Sequence, residues 1–529
     1  MIFSEEQNNI FDYAQKGPFN MIVQAVAGAG KTTTLVECAN RIDDSKKVLL
    51  LAHNRSTRDT LKERIGERKN VKIFTLHGLA WRMLLEHFEK APELDEDKYR
   101  TYVNKNMESI ASESFNGLSP QKKLMYKSNV FDLIDKARLN LKNTEKDVRK
   151  LAVKKYGITL VADEPHMVAN VLKWGVDNHE VVDYQDLLWY PSQFGYFTKR
   201  YTADIIMLDE AQDASLAQQD VVKRCFMRNT RLFAFGDKDQ TINSWCGSDS
   251  ESFEHLHDSN EFRRPAVDFP LTTNYRCGKN IIEYAKRFTN NPIKAMDTAE
   301  DGVINHDASL RDAVDGDMIL CRNIAPLMEV YRIGVSQGKK MYFRGEALGK
   351  TLIGDADCAY GDTIEEIIKS MKKRLIATWE FLSKEDELNE RETMTDPKVV
   401  SLLDTIKTME NLPATVVTRK DLEKFSKDIF SEEGREGIQL STIHRAKGLE
   451  ADNVFIICPS LIPSRLARLE WQQNEEKHLQ YVMCTRPKHS LNFVSEKEVH
   501  PHNYFSDENS LYSELKRIRQ EVKEENGVN

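Results

Sequence analysis

Short apolar runs that alternate with longer amphipathic segments recur along this chain of 529 residues. The first lies at residues 21–23, directly before a loop of small residues, and others lie at 205–208, 318–320 and 454–457. Runs of this kind are typical of strands that are buried on both faces, and helical segments between them are typical of parallel sheets. The pattern therefore predicts an α/β fold with two parallel-sheet domains.

Two stretches interrupt this alternation, and each has the character of a helical insertion. In the second, residues 363–371 show the i, i+3, i+4 apolar spacing of an amphipathic helix. From Ser506 onward the charged tail predicts a solvated helix that frays. We expect residues 1–80 and 184–274 to form the first sheet domain, 81–183 its basic helical insertion, 275–345 and 434–500 the second sheet domain, 346–433 its shorter insertion, and 501–529 a C-terminal tail.

Composition indicates a globular protein inside a cell. Hydrophobic residues make up 40% and charged residues 30% of the chain, which suffices for several cores. The eight cysteines include no CxxC pair, so we expect reduced thiols and neither a zinc knuckle nor a disulfide framework. No run reaches the roughly 20 apolar residues that cross a bilayer, and the N-terminus lacks the plan of a signal peptide. We expect a cytoplasmic location and no membrane contact.

Although the net charge of the whole chain is -8, one segment of it is strongly basic. Residues 121–155 contain 11 Lys and Arg against 4 Asp and Glu. Such a run is commonly a solvated helical face, and contact with a polyanion is the alternative if neighbouring motifs also indicate one.

Residues 20–35 have the order of a phosphate-binding loop: an apolar strand, a small-residue turn, then Lys-Thr at the start of a helix. Glycines let the backbone N–H groups converge on phosphate oxygens, and the helix N-terminus adds partial positive charge. Lys31 is expected to reach the β- and γ-phosphates of ATP, and Thr32 to bind Mg²⁺. The strict pattern fails at Ala25, where glycine is usual, and a chance glycine-rich turn is the alternative. The residues expected to contact the nucleotide here are Ala27, Gly28, Ala29, Gly30, Lys31, Thr32 and Thr33.

An acid pair follows the apolar run at 205–208. Asp209 is expected to hold Mg²⁺, and Glu210 to polarise the attacking water. Two acids at a helix start are the plainer explanation, because acids favour that position. Lys31 and Asp209 stand 178 positions apart, which indicates that a segment is inserted between them, and the basic run falls inside it.

From Gln7 to Arg486, motifs in a fixed order resemble those of superfamily 1 helicases of the UvrD/Rep/PcrA type. The resemblance implies two RecA-like motor domains of the P-loop NTPase class, each interrupted by a mainly helical insertion. In the first domain it implies that Gln7 reads the adenine edge, and that residues 48–55 and 73–78 contact single-stranded DNA through Asn54, Thr75 and His77. Residues 182–188 resemble the acidic-aromatic signature that closes the first insertion.

Residues 235–247 resemble the motif that couples the nucleotide to DNA. The amide of Gln240 is suited to sense the γ-phosphate, and Trp245 to stack on a base. An isolated tryptophan is more often a core residue. This chain has Asn243 where the family commonly has an aromatic residue and Cys246 where it has arginine.

The resemblance extends to three motifs of the second domain. At residues 271–276 it implies that Arg276 is an arginine finger and that Tyr275 stacks on adenine. Residues 437–450 imply Thr442 and His444 near the DNA backbone and Glu450 near the ribose, although a lone histidine is more often structural. Residues 475–486 imply Arg486 as a second γ-phosphate contact, with ATP held between the two domains.

The resemblance thus implies an ATP- and Mg²⁺-dependent DNA helicase or translocase that moves on single-stranded DNA from 3′ to 5′ and unwinds duplexes. Expected partners are single-stranded DNA, single/double-strand junctions and accessory proteins of replication, repair or recombination. The alternative is an ATP-gated nucleic-acid clamp or remodelling scaffold without unwinding, favoured by the short second insertion and by Asn243 and Cys246. RNA also remains open as the track. A fused nuclease is disfavoured, because about 40 residues after the last motif are too few for that fold.

Overall fold

The computed structural model describes residues 2–110, 113–118, 120–242, 253–385, 390–431, 435–496, 498–499 and 507–525. The chain divides into two compact units, Met1–Thr273 and Asn274–Asn529.

The first unit is an α/β domain with a long helical excursion. Its strands are β1 (Asn20–Ala25), β2 (Val48–Ala52), β3 (Val71–Thr75), β4 (Glu93–Leu94), β5 (Val181–Val182), β6 (Ala203–Leu208), β7 (Phe226–Gly236) and β8 (Ala266–Leu271). Its helices are α1 (Glu5–Lys16), α2 (Lys31–Arg41), α3 (Arg55–Ile65), α4 (Leu76–Leu85), α5 (Lys98–Ile110), α6 (Glu113–Asn116), α7 (Pro120–Leu139), α8 (Glu145–Lys150), α9 (Glu164–Asp177), α10 (Tyr184–Gln193) and α11 (Leu216–Lys223).

Six strands form one parallel sheet in the order β3-β2-β6-β7-β1-β8. β2 is buried at all five positions, and β6 is buried at five of six, which explains why the sequence shows these strands as apolar runs rather than as alternating patterns. Because the strands are parallel, β1 and β6 end at the same edge of the sheet. That edge carries the small-residue loop after β1 and the acid pair after β6.

The first insertion is mainly helical, and it shares a continuous hydrophobic core with the sheet. A single buried cluster extends from Ile22 and Leu49 of the strands to Val168 of α9 and Trp189 of α10. The insertion is therefore packed onto the sheet domain and is not a separate globule.

A buried ionic network fixes the insertion helices to α10. Arg138 of α7 donates from Nη1 to Asp183 Oδ1 at 2.7 Å and to Asp186 Oδ1 at 2.8 Å. Lys98 of α5 donates to Asp186 Oδ2 at 2.9 Å, and Tyr99 donates to Asp186 Oδ1 at 2.6 Å. Removing one partner of such a buried pair typically costs about 3–5 kcal/mol. The acidic signature at residues 182–188 thus has a structural use in this chain.

The second unit is also built on a parallel sheet. Its strands, with β9 at the unit boundary, are β9 (Thr273–Asn274), β10 (Lys294–Ala295), β11 (Val303–Ala308), β12 (Met318–Cys321), β13 (Met341–Arg344), β14 (Phe430–Ser431), β15 (Ile438–Thr442), β16 (Ala451–Ile456) and β17 (Pro487–Val494). Its helices are α12 (Lys279–Ala285), α13 (Ile324–Ser336), α14 (Glu346–Asp357), α15 (Ile364–Glu385), α16 (Glu390–Thr393), α17 (Pro397–Glu410), α18 (Arg419–Ile429), α19 (Glu470–Cys484) and α20 (Glu508–Glu525).

Seven of these strands pair in parallel in the order β11-β17-β16-β12-β15-β13-β14. The two predicted parallel-sheet domains are therefore confirmed. Helices α14 to α18 lie between β13 and β14, which is where the sequence predicts the second helical insertion.

The C-terminal helix α20 differs from the expectation of a solvated, fraying tail. Three apolar side chains on one of its faces are fully buried: Leu511, Leu515 and Ile518. The Arg519 guanidinium lies 4.0 Å from the ring centroid of Trp379 in α15, and Lys407 of α17 lies 2.5 Å from Glu514. The described part of the tail is thus docked on the second insertion.

Two further sequence expectations concern thiols and membranes. The seven cysteines in the described ranges are all free thiols. Within those ranges, no helix has both the length and the apolar character that spanning a bilayer requires.

Candidate active site

The loop between β1 and α2 has the backbone geometry of a phosphate cradle. Gly28 and Gly30 adopt φ values of +66° and +74°, a left-handed conformation that glycine enters without steric cost. The loop is anchored where Val26 N donates to Leu271 O at 3.0 Å. At the N-terminus of α2, Gly30 supplies no side-chain cap, so the first turn of the helix can offer its N–H groups to an anion.

Lys31 lies beside both acids that follow β6. Its Nζ is 2.5 Å from Glu210 Oε2 and 3.9 Å from Asp209 Oδ1. Burial by itself would lower the pKa of Lys31, but the charges of Glu210 and Asp209 outweigh burial and raise it. The sheet thus brings together three predicted site residues that are distant in sequence.

Asp209 is buried, and burial and the nearby cation shift its pKa in opposite directions. Burial raises its pKa to about 6, and the charge of Lys31 opposes that rise. Its Oδ1 also accepts the backbone N–H of Glu210 at 3.0 Å. A carboxylate of this kind, together with a hydroxyl such as that of Thr32, belongs to the oxygen donors that Mg²⁺ prefers, so these residues fit the predicted metal.

The remaining predicted nucleotide contacts of the first unit are partly engaged with the protein. Thr33 Oγ1 accepts from Arg64 Nη2 at 3.0 Å. Gln7 belongs to the capping box of α1: its Oε1 accepts from Ser4 N at 3.0 Å, while its Nε2 donates to Thr34 Oγ1 at 3.0 Å. Ala27 and Ala29 are buried in the loop. Gln7 is therefore tied to α2, and its contact with adenine stays a prediction.

The segment after β7 carries Gln240 next to an unusual acid. Gln240 Nε2 donates to Asp237 Oδ2 at 2.7 Å, and Asp237 is completely buried. Burial raises the pKa of Asp237 to about 7, against the lowering effect of the hydrogen bond from Gln240. The predicted stacking residue Trp245 lies outside the described residues, as do Asn243 and Cys246.

In the second unit, Arg276 and Glu450 lie together. Arg276 donates from Nε to Glu450 Oε2 at 2.7 Å and from Nη1 to Thr485 O at 3.0 Å. Tyr275 is 45% exposed, so its ring is accessible for the predicted stacking.

Arg486, the predicted second phosphate contact, points into its own unit. It is 2% exposed, and it donates from Nε to Val482 O at 2.8 Å, from Nη1 to Leu449 O at 3.2 Å and from Nη2 to Thr485 Oγ1 at 3.0 Å. These bonds give Arg486 a structural role that the motif did not indicate, and its phosphate contact stays a prediction.

Two of the predicted DNA contacts of the first unit cap helices. Asn54 Oδ1 accepts from Thr57 N at 2.8 Å at the start of α3, and Thr75 Oγ1 accepts from Gly78 N at 3.1 Å at the start of α4. Asn54 is exposed, so its amide remains accessible to a ligand. The sequence showed the positions but not this capping role.

The two predicted DNA-contacting histidines are half-buried and uncharged at neutral pH. Burial, followed by the charge of His53, lowers the pKa of His77 to about 4. Burial, followed by the charges of Arg322 and Arg445, lowers the pKa of His444 to about 3. In the absence of a ligand, both imidazoles are therefore hydrogen-bonding groups without a charge. Thr442 is only 8% exposed at the end of β15.

The basic run divides into internal and exposed cations. Arg138 is buried in the ionic network, and Lys136 pairs with Asp132. By contrast, three exposed lysines recur every four residues along α8 and the π-helical turn Leu151–Lys155 that continues it: Lys146, Lys150 and Lys154. We call these three the lysine ridge. It is a part of the basic run that is accessible to a polyanion.

Two residues that contact candidate site residues, one in each unit, were not singled out from the sequence. Gln212 Nε2 donates to Glu210 Oε2 at 2.7 Å, and Lys488 Nζ lies 3.4 Å from Glu450 Oε1. The position of Gln212, two residues after the catalytic candidate, was the available signal. Nothing in the local sequence indicates Lys488.

Comparison with known families gives two matches. Residues 4–261 match the UvrD/REP helicase N-terminal domain, and residues 355–498 match the UvrD-like helicase C-terminal domain. The first match ends close to the end of the first unit, and the second lies inside the second unit.

Individual relatives carry related descriptions. A probable DNA helicase II homolog of Mycoplasma pneumoniae is 27% identical over 290 residues, covering 50% of this chain and 39% of the relative. F-box DNA helicase protein 1 of Schizosaccharomyces pombe is 24% identical over 511 residues, covering 89% and 55%. DNA helicase II of Salmonella typhimurium is 23% identical over 389 residues, covering 69% and 51%. The chain thus spans about half the length of these relatives, or less.

Proposed function

This chain belongs to the UvrD/REP helicase family, and we propose on that basis that it is an ATP-dependent motor that moves on single-stranded DNA and unwinds duplex DNA. The observation that carries the proposal is the convergence of Lys31, Asp209 and Glu210 at one edge of the first sheet. Phosphoryl transfer to water needs a cation that binds the phosphates, an acid that holds the metal and a second acid that activates the water. These three residues can supply those groups.

The roles follow from the chemistry of each group. Lys31 balances phosphate charge, and Thr32 and Asp209 supply oxygen ligands for Mg²⁺, which neutralises charge on the phosphates when bound. Glu210 accepts the proton of the attacking water as general base. Before the nucleotide arrives, Glu210 is paired with Lys31, whose Nζ lies 2.5 Å from Glu210 Oε2.

We propose that the protein binds the backbone of a nucleic acid and does not recognise a particular base sequence. Neutral histidines and capped helix starts can hydrogen-bond a backbone, and the lysine ridge can neutralise phosphates. We propose single-stranded DNA and its junctions with duplex as the track, movement from 3′ to 5′ by family likeness, and accessory replication or repair proteins as further partners. We also propose a cytoplasmic location with access to DNA, because the proposed substrate lies inside the cell.

A DNA-stimulated ATPase assay tests the proposal. The wild-type chain is expected to hydrolyse ATP with Mg²⁺ faster when single-stranded DNA is present. Lys31→Ala should abolish turnover and leave single-strand binding measurable, because it removes the phosphate-binding cation and no predicted DNA contact. The matched control Lys16→Ala removes an exposed lysine of α1 and should hydrolyse ATP normally. Normal turnover in Lys31→Ala would refute the proposal.

A further inference from the structure

A chain of hydrogen bonds connects Glu210 to Gln240 within the first unit. Gln212 Nε2 donates to Glu210 Oε2 at 2.7 Å, and Gln212 Oε1 accepts from Asp237 N at 3.1 Å. Asp237 Oδ2 then accepts from Gln240 Nε2 at 2.7 Å. Gln212 and Asp237 are both fully buried, where each polar contact matters because water cannot replace it.

The backbone on either side of Gln212 is adapted to this arrangement. Glu210 adopts φ +50°, an uncommon conformation for a residue with a side chain that must be maintained by surrounding contacts. At Gly236, a Cβ atom would lie 2.5 Å from Gln212 Oε1 and 2.7 Å from the Phe253 ring. A residue without a side chain is therefore required where the Gln212 amide meets the end of β7.

Glu210 Oε2 is shared between two donors of different character. Lys31 Nζ lies 2.5 Å away, and Gln212 Nε2 lies 2.7 Å away. A nucleotide phosphate would compete with Glu210 for the charged Lys31, because both are anions that bind the same cation. The neutral amide of Gln212 has no such competitor, so it can retain Glu210 when Lys31 turns to the phosphate.

We propose that Gln212 is a positioning residue, which holds the Glu210 carboxylate in place during hydrolysis and links it through Asp237 to Gln240. The inference rests on the proposed function, in which Glu210 is the general base. It adds a route, entirely inside the first unit, by which the γ-phosphate sensor and the base influence each other.

Steady-state ATPase kinetics of Gln212→Met test this role, because methionine keeps the length of the side chain and removes both hydrogen bonds. We expect kcat to fall by up to about 10²-fold, the loss that a displacement of about 1 Å can cause, while KM for ATP and affinity for single-stranded DNA stay close to wild type. Gly236→Ala should produce the same split between kcat and KM, because its Cβ displaces the Gln212 amide.

The matched control is Gln219→Met, which alters another fully buried glutamine. Gln219 bonds Ala214 O and His255 instead of the acid pair, so kcat should remain at the wild-type value. In a double-mutant cycle, Gln212→Met and Gln240→Ala together should lower kcat by less than the product of their separate effects.

Three outcomes would overturn the inference. One is a wild-type kcat in Gln212→Met, another is a loss that merely follows the folded fraction in thermal melts, and the third is full additivity with Gln240→Ala. If Gly236→Ala does not fold, Gln212→Met alone decides. A wild-type chain that does not hydrolyse ATP would instead refute the proposed function, so the two failures are distinguishable.

Discussion

Arg276 Nε donates to Glu450 Oε2 at 2.7 Å. The family resemblance implies that Arg276 contacts the γ-phosphate and that Glu450 contacts the ribose, so two expected nucleotide contacts are bonded to each other. Burial tends to raise the pKa of Glu450, but the charges of Arg276 and Lys488 outweigh it and lower the pKa below its ordinary value. Glu450 is therefore ionised at neutral pH. An anion that binds Arg276 must compete with this carboxylate, which holds the guanidinium until a stronger anion arrives.

Arg276→Ala should lower kcat for ATP by about 10³ to 10⁵, the range for arginine fingers. Thermal stability should change little, because the pair is partly exposed and such pairs contribute about 0–1 kcal/mol. The matched control Lys488→Ala also removes a cation from Glu450 but no expected phosphate contact, so its kcat should be near wild type. Equal losses in the two variants would contradict the finger assignment.

Arg486→Ala should destabilise the second unit by about 2–4 kcal/mol, because the carbonyls of Leu449 and Val482 lose buried donors. Chemical denaturation, with the exposed Arg465→Ala as control, measures this difference. If the free energy of unfolding were unchanged in Arg486→Ala while ATP turnover was lost, the main role of Arg486 would be in turnover and not in stabilising the fold.

Replacing all three lysines of the ridge by glutamine should weaken DNA binding and its salt dependence. The slope of log K against log salt should fall by up to about 2.7 for duplex DNA, at about 0.9 for each phosphate contact. A control triple variant, Lys46→Gln, Lys47→Gln and Lys69→Gln, alters exposed lysines before β2 and β3, at the sheet edge opposite the acid pair. An equal effect in both triple variants would show that only net charge matters.

Asp237→Asn should change how stability depends on pH. The pKa of Asp237 in the fold is raised to about 7 from 3.8, mainly by burial, so the protonated form favours folding. That contribution is fully present below pH 3.8 and is lost as pH rises through about 7. The melting temperature of Asp237→Asn relative to wild type should therefore rise across this interval. The exposed Asp59→Asn should show no such trend, and a flat difference for Asp237→Asn would contradict the buried-carboxylate account.

The sheets and the acid-lysine cluster could be predicted because their signals are local. A strand buried on both faces must be apolar, as Val48–Ala52 is, and parallel strands bring their carboxyl ends to one edge. The approach of Lys31 to Asp209 follows from these two rules, even though a long insertion separates them in sequence.

The C-terminal helix shows where sequence reasoning failed. Leu511, Leu515 and Ile518 have the i, i+4, i+7 spacing of a buried stripe, yet the surrounding charge suggested a solvated helix. Charged side chains of the helix form ion pairs with residues of the second insertion, as Glu514 does with Lys407. Pairings of this kind depend on the tertiary fold, and so do the inward direction of Arg486 and the bridge made by Gln212.

Strand displacement on duplexes with a 3′ or a 5′ single-stranded overhang tests the central claim most directly, with wild type and Glu210→Gln compared in the presence of ATP and Mg²⁺. We predict ATP-dependent unwinding by wild type from the 3′ overhang, and none by Glu210→Gln, which should still bind the overhang. DNA-stimulated ATP hydrolysis without strand separation on either substrate would contradict the helicase account and favour an ATP-gated clamp.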